Sequence, residues 1–68
     1  MNNFKVEITS VPDRINLVAE IWYADILVAE INKEIEKFEI EFYLSAGMKF
    51  ELCEFEKVLS IAKSKLIG

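Results

Sequence analysis

Apolar and polar residues alternate with a period of two in several separate stretches of this chain. Phe4, Val6 and Ile8 alternate with Lys5, Glu7 and Thr9; Phe38, Ile40 and Phe42 with Glu39, Glu41 and Tyr43; Met48, Phe50 and Leu52 with Lys49 and Glu51. Successive side chains of a strand point to opposite faces, so each stretch reads as a strand with one apolar face. Residues 17–31, LVAEIWYADILVAEI, contain the pentapeptide LVAEI twice, ten residues apart. As a helix, at about 100° per residue, this stretch would send Glu20, Asp25 and Glu30 in three directions and form no polar face. As two strands it keeps order, because Leu17, Ala19 and Ile21 alternate with Val18, Glu20 and Trp22, and Leu27, Ala29 and Ile31 alternate with Val28 and Glu30.

The offset predicts a hairpin with a three-residue loop, Tyr23, Ala24 and Asp25, in which Asp25 takes the left-handed position. Ile21 then lies opposite Leu27, Ala19 opposite Ala29 and Leu17 opposite Ile31. A two-residue loop would shift the register and bring Glu30 onto the face of Leu17 and Ile21, which argues for the odd loop.

From Glu54 the period changes to that of a helix. Phe55, Val58, Leu59, Ala62 and Leu66 form one stripe, and Glu56, Ser60, Lys63 and Ser64 lie opposite. Acidic residues near its start and lysines near its end suit the helix dipole. The expected fold is therefore α+β: a five-stranded antiparallel meander, with strands at about 4–9, 15–22, 26–32, 37–43 and 48–52, and one C-terminal helix at about 54–67 packed on one sheet face. That face would consist of Phe4, Val6, Ile8, Leu17, Ala19, Ile21, Leu27, Ala29, Ile31, Phe38, Ile40, Phe42, Met48, Phe50 and Leu52. The connections, VPDR, NKEIE and SAG, are short enough for hairpins.

Sixty-eight residues make one small domain, residues 1–68, in which a large share of the surface stays wet and every core position counts. At 53% hydrophobic and 29% charged residues the composition is globular, and no apolar run approaches the roughly 20 residues of a membrane helix. The start, MNNFKVEITS, has neither the basic nor the apolar block of a signal peptide, and the single Cys53 has no internal disulfide partner, so a cytoplasmic location is expected. Net charge is −4 and uneven: residues 1–56 hold all 12 acidic residues against five basic ones, and Lys57, Lys63 and Lys65 make the tail positive. An acidic body disfavours direct nucleic-acid binding and favours a basic protein partner.

The chain has no His, which removes the commonest general base and metal ligand, and its glycines, Gly47 and Gly68, form no phosphate loop. Glu34, Glu36, Glu39 and Glu41 lack the spacing of a calcium loop and read as a solvated acidic surface. No catalytic residue, metal or cofactor is expected. Cys53 at the strand-to-helix junction reads as a small spacer, with a redox role as a further alternative.

The sheet face away from the helix is expected to carry Glu7, Glu20, Glu30, Glu39, Glu41 and Glu51, with Val18, Trp22, Ile26, Val28 and Tyr43 among them. Aromatic side chains dominate interaction hot spots, and surrounding carboxylates steer a basic partner toward them. The expected partner-binding residues are Glu20, Trp22, Val28, Glu30, Glu39, Glu41 and Tyr43. The expected activity is non-enzymatic: an inhibitor or immunity-type protein that docks this face on a basic partner such as a nuclease or another nucleic-acid-handling protein. The alternative is a homodimeric module that buries the same face between two copies.

Overall fold

Four of the five period-two stretches pair with their neighbours along the chain, as short connections dictate. The computed structural model describes residues 3–12, 15–34, 36–44 and 47–67. Four antiparallel strands lie in chain order, β1 (Phe4–Thr9), β2 (Val18–Tyr23), β3 (Ile26–Asn32) and β4 (Glu39–Phe42), with one C-terminal helix, α1 (Leu52–Ile67), across one face. Of the connections, Asp13, Arg14, Ile35, Ser45 and Ala46 lie outside the described residues.

The second strand starts three residues later than expected. Ile15 and Asn16 donate their backbone N–H groups to the Glu34 carboxylate at 2.7 and 3.0 Å, and the Asn16 side chain donates to the Lys33 carbonyl. With its donors satisfied there, this segment leaves the sheet, and Leu17 is exposed instead of joining the core.

The hairpin differs from expectation in loop and register. Its turn has two residues, Ala24 and Asp25, and the left-handed backbone belongs to Ala24 (φ 52°), whose N–H donates to the Asn3 carbonyl at 2.9 Å. Tyr23 pairs with Ile26 and Trp22 with Leu27, whereas Ile21 pairs with Ala29 and Ala19 with Ile31. Val28 is the additional residue of a β-bulge. Without it the two-residue turn would set Glu30 opposite Ala19 on the core side. The bulge returns Ala29 and Ile31 to the face of Ala19 and Ile21, and leaves Leu27 with Trp22. Val28 itself is fully buried in the core cluster.

The expected fifth strand at 48–52 is absent: residues 48–51 are unpaired and Leu52, largely exposed, begins the helix. The cause is aromatic packing. The Phe50 ring lies 5.2 Å from Phe4, 5.0 Å from Tyr23 and 5.6 Å from Phe55, stacked on the last at 5°. Such pairs add to area burial. They hold Phe50 against Phe4 of β1 and Tyr23 of β2, and no fifth strand pairs with β4 among the described residues.

Glu51 then ends the irregular segment. Its carboxylate accepts the N–H groups of Cys53 and Glu54 at 3.2 and 2.9 Å, and its carbonyl accepts the N–H of Phe55, so Glu51 is the N-cap of α1. The expected stripe is the one that packs: Val58 and Ala62 are fully buried, and Phe55, Leu59 and Leu66 pack around Phe4, Ala19, Ile21, Val28, Ala29 and Ile31. The helix lies over β1, β2 and the near side of β3, and its backbone stays clear of β4. Ile40 and Phe42 consequently remain 39% and 51% exposed on the helix side, although the Phe42 ring reaches to 6.5 Å from Phe55. No described helix is long and apolar enough to cross a membrane.

Candidate functional site

The face away from α1 is organised by strand register. Glu7 pairs with Glu20, Glu20 with Glu30, and Glu30 with Glu41, so four carboxylates occupy one rung across all four strands. Like charges directly opposite one another in a sheet oppose folding. Neighbouring donors offset part of this. Trp22 Nε1 donates to Glu20 Oε1 at 3.1 Å, the Tyr43 hydroxyl donates to Glu30 Oε1 at 3.3 Å, and Lys5 Nζ lies 2.9 Å from Glu7 Oε1. Lys5 also sits 6.0 Å from the centre of the Trp22 ring, where the ring quadrupole attracts a cation.

Tyr43 records the local field. Partial desolvation of its hydroxyl, then the charges of Glu30 and Glu41 and a hydrogen bond that either carboxylate can accept, push its pKa up to about 12. Each cause favours the neutral phenol over a phenolate beside carboxylates.

The structure sorts the seven expected binding residues into two groups. Glu39, Glu41 and Tyr43 are exposed, and Glu20 and Trp22 are half-buried on the same face. Glu30 is also on that face but only 5% exposed, so it can hold Tyr43 in place and is out of reach of a partner. Val28 is a correction: the bulge turns it into the core at 0% exposure, and it cannot belong to a docking surface. The face is also less open at one end than expected, since Val18 and Asn32 are buried where the 15–16 and 33–34 segments are tied together. Among the described residues Asn32 Oδ1 finds no hydrogen-bond partner there.

Two features of the site lie beyond sequence patterning. Glu7 completes the rung, which parity alone cannot reveal because it fixes a face and leaves the pairing open. Ile40 and Phe42 are exposed where core residues were expected. Ile40 lines a groove of 220 Å³ together with Ile31, Phe38, Glu39, Leu59 and Lys63, between α1 and β4. The Phe38 ring is flanked by Lys33 and Lys63, each ammonium 5.0 Å from its centre, so this margin is apolar with a border that carries both lysines and Glu39. Cys53 is exposed on the first turn of α1, and among the described residues no three His, Cys, Asp or Glu side chains converge as a metal site.

Compared with protein-family models, curated proteins and solved structures, the chain finds no match.

Proposed function

We propose that this protein is a non-catalytic binding protein, of the inhibitor or immunity type, that docks its glutamate-bearing sheet face on a basic protein partner such as a nuclease or another nucleic-acid-handling protein. The supporting observation is the rung Glu7, Glu20, Glu30 and Glu41, aligned across every strand at a cost to the free protein. A partner's lysines and arginines would relieve that repulsion on binding. Trp22 and Tyr43 are oriented by hydrogen bonds to the same carboxylates, which supplies rigid aromatic anchors inside an acidic surround.

The test is capture of the partner by the tagged full chain, followed by binding kinetics. Neutralising Glu39 and Glu41 to Gln, or raising the salt, should slow association with little effect on dissociation. Trp22→Ala should raise the dissociation rate and weaken affinity by roughly thirtyfold, about 2 kcal/mol. A partner indifferent to salt and to both changes would place the functional surface elsewhere.

The second reading, a homodimeric module that buries the Trp22 face between two copies, draws on the half-buried Trp22 and the exposed Tyr43 of that face. Light scattering distinguishes it: a dimer that Trp22→Glu splits supports this reading, and a monomer at all concentrations removes it.

A further inference from the structure

The outer edge of β4 borders both the glutamate face and the apolar groove. In an antiparallel ladder alternate residues turn both backbone groups to the same side. Tyr43 donates its N–H to the Val28 carbonyl at 2.8 Å, and Glu30 and Glu41 are partners in the same register. Glu39, Glu41 and Tyr43 therefore face β3, and Ile40 and Phe42 turn their N–H and C=O groups outward. Among the described residues no strand pairs with that side, and all four residues of β4 are exposed. Natural sheets usually protect such an edge with lysine, proline, a bulge or a covering segment, because it is a template for another strand. Here the segment that could have covered it is held over β1 and β2 by Phe50.

We infer that β4 is the site at which this protein adds a strand from its partner, an extended segment in which basic and apolar residues alternate. The inference rests on the basic-partner reading above and specifies how that partner is held. Two faces dictate the pattern. Glu39 and Glu41 project from β4 to the side away from α1, so cationic side chains on the added strand match them. Ile40 and Phe42 project to the other side, where Ile40 lines the groove. Glu39 and Lys63 oppose each other in charge at its margin, and apolar side chains extend the surface of Ile31, Phe38 and Leu59. A second copy of β4 matches the edge less well in two registers: centred on Ile40, a two-fold antiparallel pair would set Glu39 against Glu41 of the other copy, and centred on Glu41 it would set Glu41 against itself. Centred on Phe42 it sets Glu41 against Tyr43 and offers no cation to either glutamate, whereas a basic segment does.

The test uses the full-length chain and a synthetic peptide of about eight residues that alternates lysine and valine, long enough to span one typical strand. Binding should perturb the amide signals of Ile40 and Phe42 first. An added strand turns every second N–H toward β4. In the antiparallel case those belong to residues opposite Ile40 and Phe42, the valines. N-methylating the valines should then weaken binding by about tenfold or more, two or so lost hydrogen bonds, whereas N-methylating the lysines should not. The protein is unaltered in this comparison, so misfolding cannot mimic the result. Ile40→Pro, which removes an outward N–H, gives the reciprocal test.

Equal sensitivity to both methylation patterns, with binding still dependent on lysine, overturns strand addition alone and leaves the basic-partner reading standing. A glutamine–valine peptide that binds as well as the lysine–valine one overturns the basic pattern and the parent reading with it. Absence of binding, or self-association of the chain through β4 on light scattering, overturns the proposal.

Discussion

Val28→Ala tests at a single residue which side of the sheet the bulge has chosen. A valine on the wet face loses little when truncated, whereas one at 0% exposure in the core cluster should cost about 2 kcal/mol of unfolding free energy. Denaturant unfolding followed by Trp22 fluorescence measures this, and a loss below about 0.5 kcal/mol, usual for surface sites, would return Val28 to the surface. Tyr43 makes a second prediction at this scale. Its folded pKa, about 12, lies above the ordinary value of 10.0. Between those two values the folded chain binds more protons than the unfolded one, so this residue's contribution to stability is complete below pH 10 and is lost as the pH rises toward 12. In an ultraviolet titration, the phenolate transition that Tyr43→Phe removes should therefore be centred near pH 12. A missing transition centred near 10 would show that neither desolvation nor the charges of Glu30 and Glu41 hold the hydroxyl's pKa up.

At the scale of elements, legibility followed how local each interaction is. The stripe Phe55, Val58, Leu59, Ala62 and Leu66 was readable because a helix sets its face by spacing alone, and it packs as read. The strands at 4–9 and 26–32 were readable for the same reason, with parity in place of spacing. Register was not, because a two-residue turn with a bulge at Val28 and a three-residue turn without one place Ala19, Ile21, Ala29 and Ile31 on the same face. Nor was the fate of 48–52, since the alternation of Met48, Phe50 and Leu52 suits a strand as well as it suits a linker pinned by one aromatic ring. Of the candidate site, the shared face of Glu20, Glu39, Glu41 and Tyr43 was legible, and its alignment with Glu7 was not. The cap at Glu51 was hidden because parity assigned that residue to a strand. Glu51→Ala should cost about 1 kcal/mol, the usual loss on removing a cap, while Glu51→Asp should retain most of it. Circular dichroism during thermal unfolding reads both, and equal stability of the Ala and Asp variants would deny the cap.

For the whole molecule, the question is what an aligned rung of four carboxylates does to a domain with little stability to spare. Opposed side chains in a sheet lie about 5 Å apart at Cβ, within the Debye length of about 10 Å at 0.1 M salt and beyond that of about 3 Å at 1 M. Sodium chloride should therefore raise the thermal midpoint across this range. Salt also strengthens apolar burial to a degree that depends on the ion, so the midpoint alone does not isolate charge. Glu41→Gln does. It keeps an oxygen that can accept from Tyr43 and removes one charge opposite Glu30, so it should gain roughly 0.2–1 kcal/mol at low salt, with the gain shrinking as salt is added. Substitutions that stabilise a protein while weakening its function mark residues retained for that function. If Glu41→Gln together with Glu39→Gln makes the chain more stable and slower to capture a basic partner, the rung is a binding device held against the preference of the fold. Loss of stability in Glu41→Gln would instead make Glu41 a structural member of the network around Tyr43, and the proposed docking face would have to rest on Glu20, Glu39 and Trp22.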